Sequence, residues 1–241
     1  ARKSDKPVCL IVPEQFSHTT ERQLCETGDA ISRTAEVLSF RRLCGRVAAV
    51  CGGGARKTLS RGERILLLYK ALRRTGPSLK TLCDVSTEPE FITGLLSLID
   101  ELKSYNITHE ELLDIAKDTH GLLGDKLNDI ALIYAAYRSS FGRGEIDSND
   151  ELDLLYENIV RCGFFKGKTV YLDGFSGFTG QEYKIIAEII RTAENVTITL
   201  CHDPDADSME KQIFSKTSET MARLIEIANR HNLKYSVIRL A

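Results

Sequence analysis

The sequence predicts an α/β fold: a parallel sheet whose strands are interrupted by a long all-helical segment. Three observations carry this. Short apolar, β-branched runs alternate with helical patterns near both ends of the chain, the signature of strands joined by crossover helices. Between Ser60 and Leu155 no strand-like run occurs, and helix signals recur instead. The 241 residues are 42% apolar and 27% charged, enough to build a core in one large domain or two small ones.

The elements follow in order. Val8-Cys9-Leu10-Ile11-Val12 is a near-continuous apolar run, as in a strand buried on both faces, and Pro13 stops it. A helix is expected from about Ser17 to Cys25. Ala35 to Phe40 reads as a second strand that runs into a basic helix from Arg41 to about Val50, broken by Cys51-Gly52-Gly53-Gly54. Ser60-x-x-Glu63, Thr108-x-x-Glu111 and Ser148-x-x-Glu151 are capping boxes opening helices. Leu123, Leu127, Ile130, Tyr134, Tyr137 and Phe141 recur every three or four residues and form one apolar stripe on a long helix. Strands return at Thr169 to Asp173 and Val196 to Leu200. Between them, Thr179-x-x-Glu182 caps a helix with Ile185, Ile186, Ile189 and Ile190 on its apolar side. A last helix over about 208–229 and a final strand over 235–240 complete the reading. No internal repeat or low-complexity segment is present.

Charge is unevenly distributed. Between Arg33 and Lys80 twelve Lys and Arg face only two acids, Glu36 and Glu63, a net of +10, while the whole chain sums to −2. A neutral total thus hides a strongly basic segment, the electrostatic footprint of phosphate contact. The seven cysteines are odd in number and none has Cys-x-x-Cys spacing, so they read as buried free thiols in a reducing compartment. The five histidines are scattered, and no metal site is expected. No apolar run approaches the ~20 residues needed to span a bilayer. The N-terminus has a basic start without an apolar signal core. The expectation is a cytoplasmic protein with no membrane partner.

Several motifs bear on chemistry. Gly52-Gly53-Gly54-Ala55-Arg56-Lys57-Thr58 invites reading as a phosphate loop, but a loop ending at Lys57 needs glycine at 51 and 56, which are Cys51 and Arg56. A flexible connector is expected there. Gly174-Phe175-Ser176-Gly177-Phe178 lacks the final glycine of a serine-nucleophile elbow. No catalytic residue is therefore assigned. Val170-Tyr171-Leu172-Asp173-Gly174-Phe175 reads as a buried strand ending in one carboxylate. Phosphate-loop hydrolases commonly place two acids there, one for Mg²⁺ and one to polarise the attacking water. Gly174 has no side chain and cannot act as a base. Asp173 is read either as a ligand group at a strand carboxyl end or as a turn aspartate. Ser39-Phe40-Arg41-Arg42-Leu43 joins a strand end to a basic helix, where backbone N–H groups and arginines could meet phosphates, with Phe40 either stacked on a base or simply buried. Ser39, Phe40, Arg41, Arg42, Arg46, Arg61 and Arg64 are the expected DNA-binding residues.

Together these segments resemble the N-terminal region of AddB (also RexB), the B subunit of bacterial AddAB/RexAB helicase–nucleases. Leu10-Ile11-Val12-Pro13-Glu14-Gln15 looks like that family's strand-then-Pro-x-Gln segment, and Val37-Leu38-Ser39-Phe40-Arg41-Arg42-Leu43 is similar to its Ser-Phe-x-Arg-Leu segment. Val170 to Phe175, followed by Phe178-Thr179-x-Gln181-Glu182, resembles its Asp-Gly-Phe…Phe-Thr-Pro-Gln-Glu signature, with Gly180 replacing the Pro. The wider resemblance is to UvrD-type superfamily 1 helicases, whose motif at the same strand reads roughly Asp-Glu-x-Gln-Asp. Asp173 keeps its first acid, while Gly174, Ser176 and Gly177 depart from it. Ser148 to Leu155 falls near the relatives' Asp-Phe-Asp-Asp-Leu segment and keeps it poorly.

The resemblance implies a RecA-like core over residues 1–57 and 165–241 with an inserted helical subdomain over 58–164. It further implies a fragment of a longer bacterial protein that acts in double-strand-break repair and recombination. Asp173 and Gly174 would be its degenerate Mg²⁺/water position. Any phosphate loop would lie upstream, and the nuclease with its iron–sulfur cysteines downstream. The fragment would need no cofactor, whereas the parent complex would use ATP, Mg²⁺ and an iron–sulfur cluster. Single-stranded DNA or a duplex end and the A subunit would be its partners. Two other readings stay open: a working ATPase half whose phosphate loop lies outside the fragment, and a scaffold that only docks the A subunit.

Overall fold

A computed structural model describes residues 7–26, 35–52, 56–83, 88–147, 150–202 and 213–239. The chain divides into two compact units, residues 1–53 with 152–241, and residues 54–151.

The first unit is built on a four-stranded, wholly parallel sheet: β1 (Val8–Ile11), β2 (Ala35–Leu38), β5 (Thr169–Leu172) and β6 (Asn195–Ile198), in the order β2-β1-β5-β6. In register, Ile11 stands beside Leu38 and Leu172, and Cys9 beside Val170. These residues share one face, and all are buried. Against them pack Leu43 and Val47 of α2 (Phe40–Cys51), Leu155 and Ile159 of α7 (Glu151–Cys162), and Ile185, Ile186 and Ile189 of α8 (Gly180–Thr192). Fully burying one such aliphatic side chain contributes about 1.5–3 kcal/mol. The opposite face is more open than the apolar run predicts. Val8 and Leu10 are half-buried, and Tyr171, in register with Leu10, is 41% exposed.

The helices begin where the sequence provides caps. Ser39 caps α2, and Thr179 with Glu182 forms the expected capping box on α8. Helix α1 (Ser17–Glu26) follows a 3-10 turn over Glu14–Phe16, and α9 (Ser215–Arg230) lies against α8. The expected start of this last helix, near Ser208, lies outside the described residues. Two expectations fail here. Residues 233–239 form no strand, and Tyr235, Val237 and Ile238 are exposed. Residues 151–164, expected with the helical segment, instead give Leu155, Ile159 and Phe164 to the sheet's core. Two cysteines are also not free. Cys51 and Cys162 form a disulfide with Cα atoms 5.8 Å apart. Of the five cysteines outside this disulfide only Cys9 is buried and Cys44 is half-buried, whereas Cys25, Cys83 and Cys201 are exposed.

The second unit holds α3 (Arg61–Thr75), α4 (Pro89–Ser104), α5 (His109–Asp118) and α6 (Gly121–Arg138). Capping boxes open α3 at Ser60/Glu63 and α5 at Thr108/Glu111; residues 148–149, which begin the third predicted box, lie outside the described residues. Leu68, Leu72, Leu96, Ile99, Ile133, Tyr134 and Tyr137 form its core. The apolar stripe of α6 is real from Ile130 through Tyr134 and Tyr137 to Phe141, but Leu123 is 60% exposed. The unit is not free of strands. β3 (Lys57–Thr58) pairs in parallel with β4 (Glu145–Ile146), a ladder too short to leave a periodic signal. The expected flexible connector therefore ends in a strand at Lys57.

Candidate nucleic-acid interface

In a parallel sheet all strand carboxyl ends lie along one edge, which is where ligands gather in open α/β folds. Three turns meet there: Pro13–Phe16 after β1, Ser39–Arg42 after β2, and Asp173–Phe178 after β5.

The turns are tied to one another by identifiable contacts. Ser39 is 2% exposed; its Oγ accepts from the Arg42 backbone N–H at 3.1 Å and donates to the Glu14 carboxylate. Phe40 is 7% exposed and lies in an edge-on cluster with Phe175 (5.9 Å) and Phe178 (6.5 Å). Tyr183 of α8 extends the cluster, 5.5 Å from Phe178. Phe40 thus joins two turns from inside and presents no ring face to solvent. Gly174 has φ +78°, a left-handed conformation, and a Cβ there would lie 3.4 Å from Pro13 Cδ and 3.8 Å from Phe16. A residue with a side chain is disfavoured at this position by its backbone alone.

Arg41 and Arg42 occupy the first turn of α2 and are exposed. Arg42 Nη2 donates to Glu21 at 2.7 Å; this bond, with the negative charges nearby, raises its pKa further above the ordinary arginine value. Arg41 makes no ion pair among the described residues. Phe16 stands 48% exposed beside Gly174. The sequence marks it only as an aromatic placed directly after a strand and its terminating proline, and it is absent from the expected contact residues. Asp173 is exposed, accepts a hydrogen bond from Thr199 Oγ1, and follows the last residue of β5.

The remaining predicted residues lie further along α2 or in the other unit. Arg46, one turn along α2, is paired with Glu36 at 2.6 Å. Arg61 and Arg64 belong to the other unit. Arg61 is exposed, but Arg64 is 6% exposed and holds Asp147 (2.9 Å), Asp100 and the Tyr137 hydroxyl (3.2 Å). Lys103, also buried, completes the cluster on Asp147 (3.1 Å) and Asp150 (2.6 Å). Burial works against the Arg64 charge, but its bonds to Asp100 and Tyr137 outweigh this and raise its pKa; burial and then Asp147 raise that of Tyr137. The basic stretch 33–80 divides between two units, and Arg42, Arg46, Lys57, Arg64 and Lys80 each have a carboxylate partner. Arg33 lies outside the described residues.

Gly174 offers no second carboxylate, and no three His, Cys, Asp or Glu converge as metal ligands among the described residues. Among those residues no helix is long and apolar enough to cross a membrane.

What remains is an α/β unit whose strand carboxyl ends carry exposed Arg41, Arg42 and Phe16 beside the acids Glu14, Glu21 and Asp173. Comparison with known sequences places the chain further. All of residues 1–241 match the family described as ADDB, N-terminal, and the chain belongs to that family. It is 33% identical over 233 residues to the B subunit of an ATP-dependent helicase/deoxyribonuclease from Caldanaerobacter subterraneus, covering 95% of this chain and 20% of that protein. Proteins with the same description from Clostridium tetani and Alkaliphilus metalliredigens are each 33% identical, covering 96% and 99% of this chain and 21% of their own length. The chain thus spans about a fifth of the relatives it matches.

Proposed function

We propose that this chain is a DNA-binding piece of the B subunit of an ATP-dependent helicase/deoxyribonuclease, working in double-strand-break repair and recombination beside an A subunit that drives movement. In this reading the sheet unit is a RecA-like helicase core that no longer hydrolyses ATP, and the helical unit is its inserted subdomain. The parent complex uses ATP, Mg²⁺ and an iron–sulfur cluster elsewhere, and works in the bacterial cytoplasm on single-stranded DNA or duplex ends.

One observation carries the reading. Exposed Arg41, Arg42 and Phe16 stand at the carboxyl edge of a parallel sheet, on turns held together by the Ser39–Glu14 bond and the Phe40–Phe175–Phe178 cluster. Guanidinium groups at a helix N-terminus suit phosphates. An exposed aromatic suits a base, worth about 1–3 kcal/mol per stacked base. The silence of the ATPase is supported by Gly174, which lacks a base and adopts a backbone conformation a glutamate would resist.

The test is fluorescence anisotropy with a labelled 20-nucleotide single strand. Binding is expected at low salt and should weaken steeply as salt rises, because displaced counterions drive it. Absence of binding at ~20 mM salt, with tight capture of the A subunit, would select the docking-scaffold reading instead.

A further inference from the structure

We infer that Cys51 and Cys162 form a redox-sensitive latch that locks the ends of α2 and α7 together. Each cysteine is the last residue of its helix, and each is followed by a glycine in the left-handed conformation, Gly52 (φ +66°) and Gly163 (φ +61°). The two glycines close their helices alike: Gly52 N–H donates to Ala48 O at 3.1 Å and Gly163 N–H to Ile159 O at 2.9 Å. Nothing lies within 4 Å of a Cβ at either glycine, so backbone conformation and not space selects them.

The surroundings disfavour two thiolates and so favour the bonded form. Two helix carboxyl ends, each with partial negative charge, are brought together here. Arg161 offsets that charge, donating to Asn158 Oδ1 at 2.7 Å and reaching the Cys51 carbonyl at 3.5 Å. Cys162 is exposed and open to small thiols and disulfides, while buried Cys9, its pKa raised by burial, is not. The bond spans a sequence separation of 111 residues and joins the stretches where the chain leaves the sheet unit and returns to it. Closing so long a loop strongly restricts the unfolded chain.

The chemistry is ordinary thiol–disulfide exchange with a low-molecular-weight disulfide such as oxidised glutathione. The Cys162 thiolate attacks one glutathione sulfur, forming a mixed disulfide and expelling a glutathione thiolate. The Cys51 thiolate then attacks the Cys162 sulfur and expels the second glutathione. Two electrons pass from the protein thiols to the glutathione disulfide, and the two thiol protons end on the released glutathiones.

The chain equilibrated in graded glutathione buffers, acid-quenched, alkylated and mapped by mass spectrometry tests this. One two-electron transition confined to Cys51 and Cys162 is expected. Hydrogen exchange on the same samples should show amides of α2 and α7 exchanging on the order of a hundredfold faster once the bond is reduced. Cys51→Ser with Cys162→Ser should match the reduced protein in every buffer; the wild-type titration stands without it if the variant does not fold. A bond that never forms at any glutathione ratio, a different cysteine pairing, or identical exchange in both states would each overturn the latch.

Discussion

Arg41 and Arg64 sit in the first or second turn of successive helices in one basic stretch, and the two units use them in opposite ways. At the sheet edge, Arg41 stands in solvent, and neighbouring Arg42 is held by a single exposed acid, Glu21. In the helical unit, Arg64 is buried with Lys103, and both are neutralised on Asp147, which is wholly buried. The edge leaves its charge available to a polyanion. The helical unit spends it on internal order, where each charge is tolerable only because its partners are fixed. Net charge along a sequence therefore says little about grip until each cation is assigned to surface or core.

Removing the shared anion should separate the two regions most sharply. Asp147→Ala leaves two buried cations without their common partner and should cost about 3–5 kcal/mol of the helical unit's stability in urea unfolding. Arg41→Ala should cost under ~0.5 kcal/mol in the same assay, since no partner is lost. A small effect of Asp147→Ala would break the contrast.

At the edge itself, backbone geometry should matter more than charge. Gly174→Glu puts a side chain on a left-handed residue packed against Pro13, and about 1–2 kcal/mol of stability should be lost. The variant should gain no ATP hydrolysis in a coupled phosphate-release assay. Thr179→Ala removes the side chain that accepts from Glu182 N at 3.2 Å and should cost about 1 kcal/mol, read by the thermal midpoint of the sheet unit.

The smallest effect belongs to the exposed cap of the helical unit. Bonds to Lys57 and to the Ser60 backbone and hydroxyl hold Glu63 down to about 2. A carboxylate depressed when folded contributes stability above its unfolded value, near ~4.3, and loses it as pH falls towards 2. Wild type should therefore destabilise more steeply than Glu63→Gln between those limits in urea midpoints measured against pH. Parallel curves would remove Glu63 from the account.

Much of the fold was legible because its signals are local. β-Branched runs bounded by proline or turns marked the four strands of the main sheet, and Thr179-x-x-Glu182 marked the start of α8. What was not legible depends on distant partners. Cys51 and Cys162 are far apart in sequence and carry no spacing signal. The last predicted strand had the right residues but no neighbour on which to form a ladder. At the edge, Phe40 meets the turn after β5 and Ser39 the turn after β1, both facing inward, while Arg41 and Arg42 are exposed. Arg64 could have been recognised. It lies on the stripe of Leu68, Ala71 and Leu72, as Lys103 lies on that of Leu96 and Ile99, and a charge on an apolar stripe marks a buried ion pair.

The sharpest test compares DNA affinity after two double substitutions, Arg41→Ala with Arg42→Ala and Lys70→Ala with Arg73→Ala, the latter two exposed cations of α3 in the helical unit, in anisotropy titrations across salt. The sheet edge as the gripping surface predicts that the first pair loses roughly tenfold in affinity and lowers the salt slope by about 1–2, while the second leaves both nearly unchanged. Equal losses from both pairs, or a loss only from the second, would contradict it.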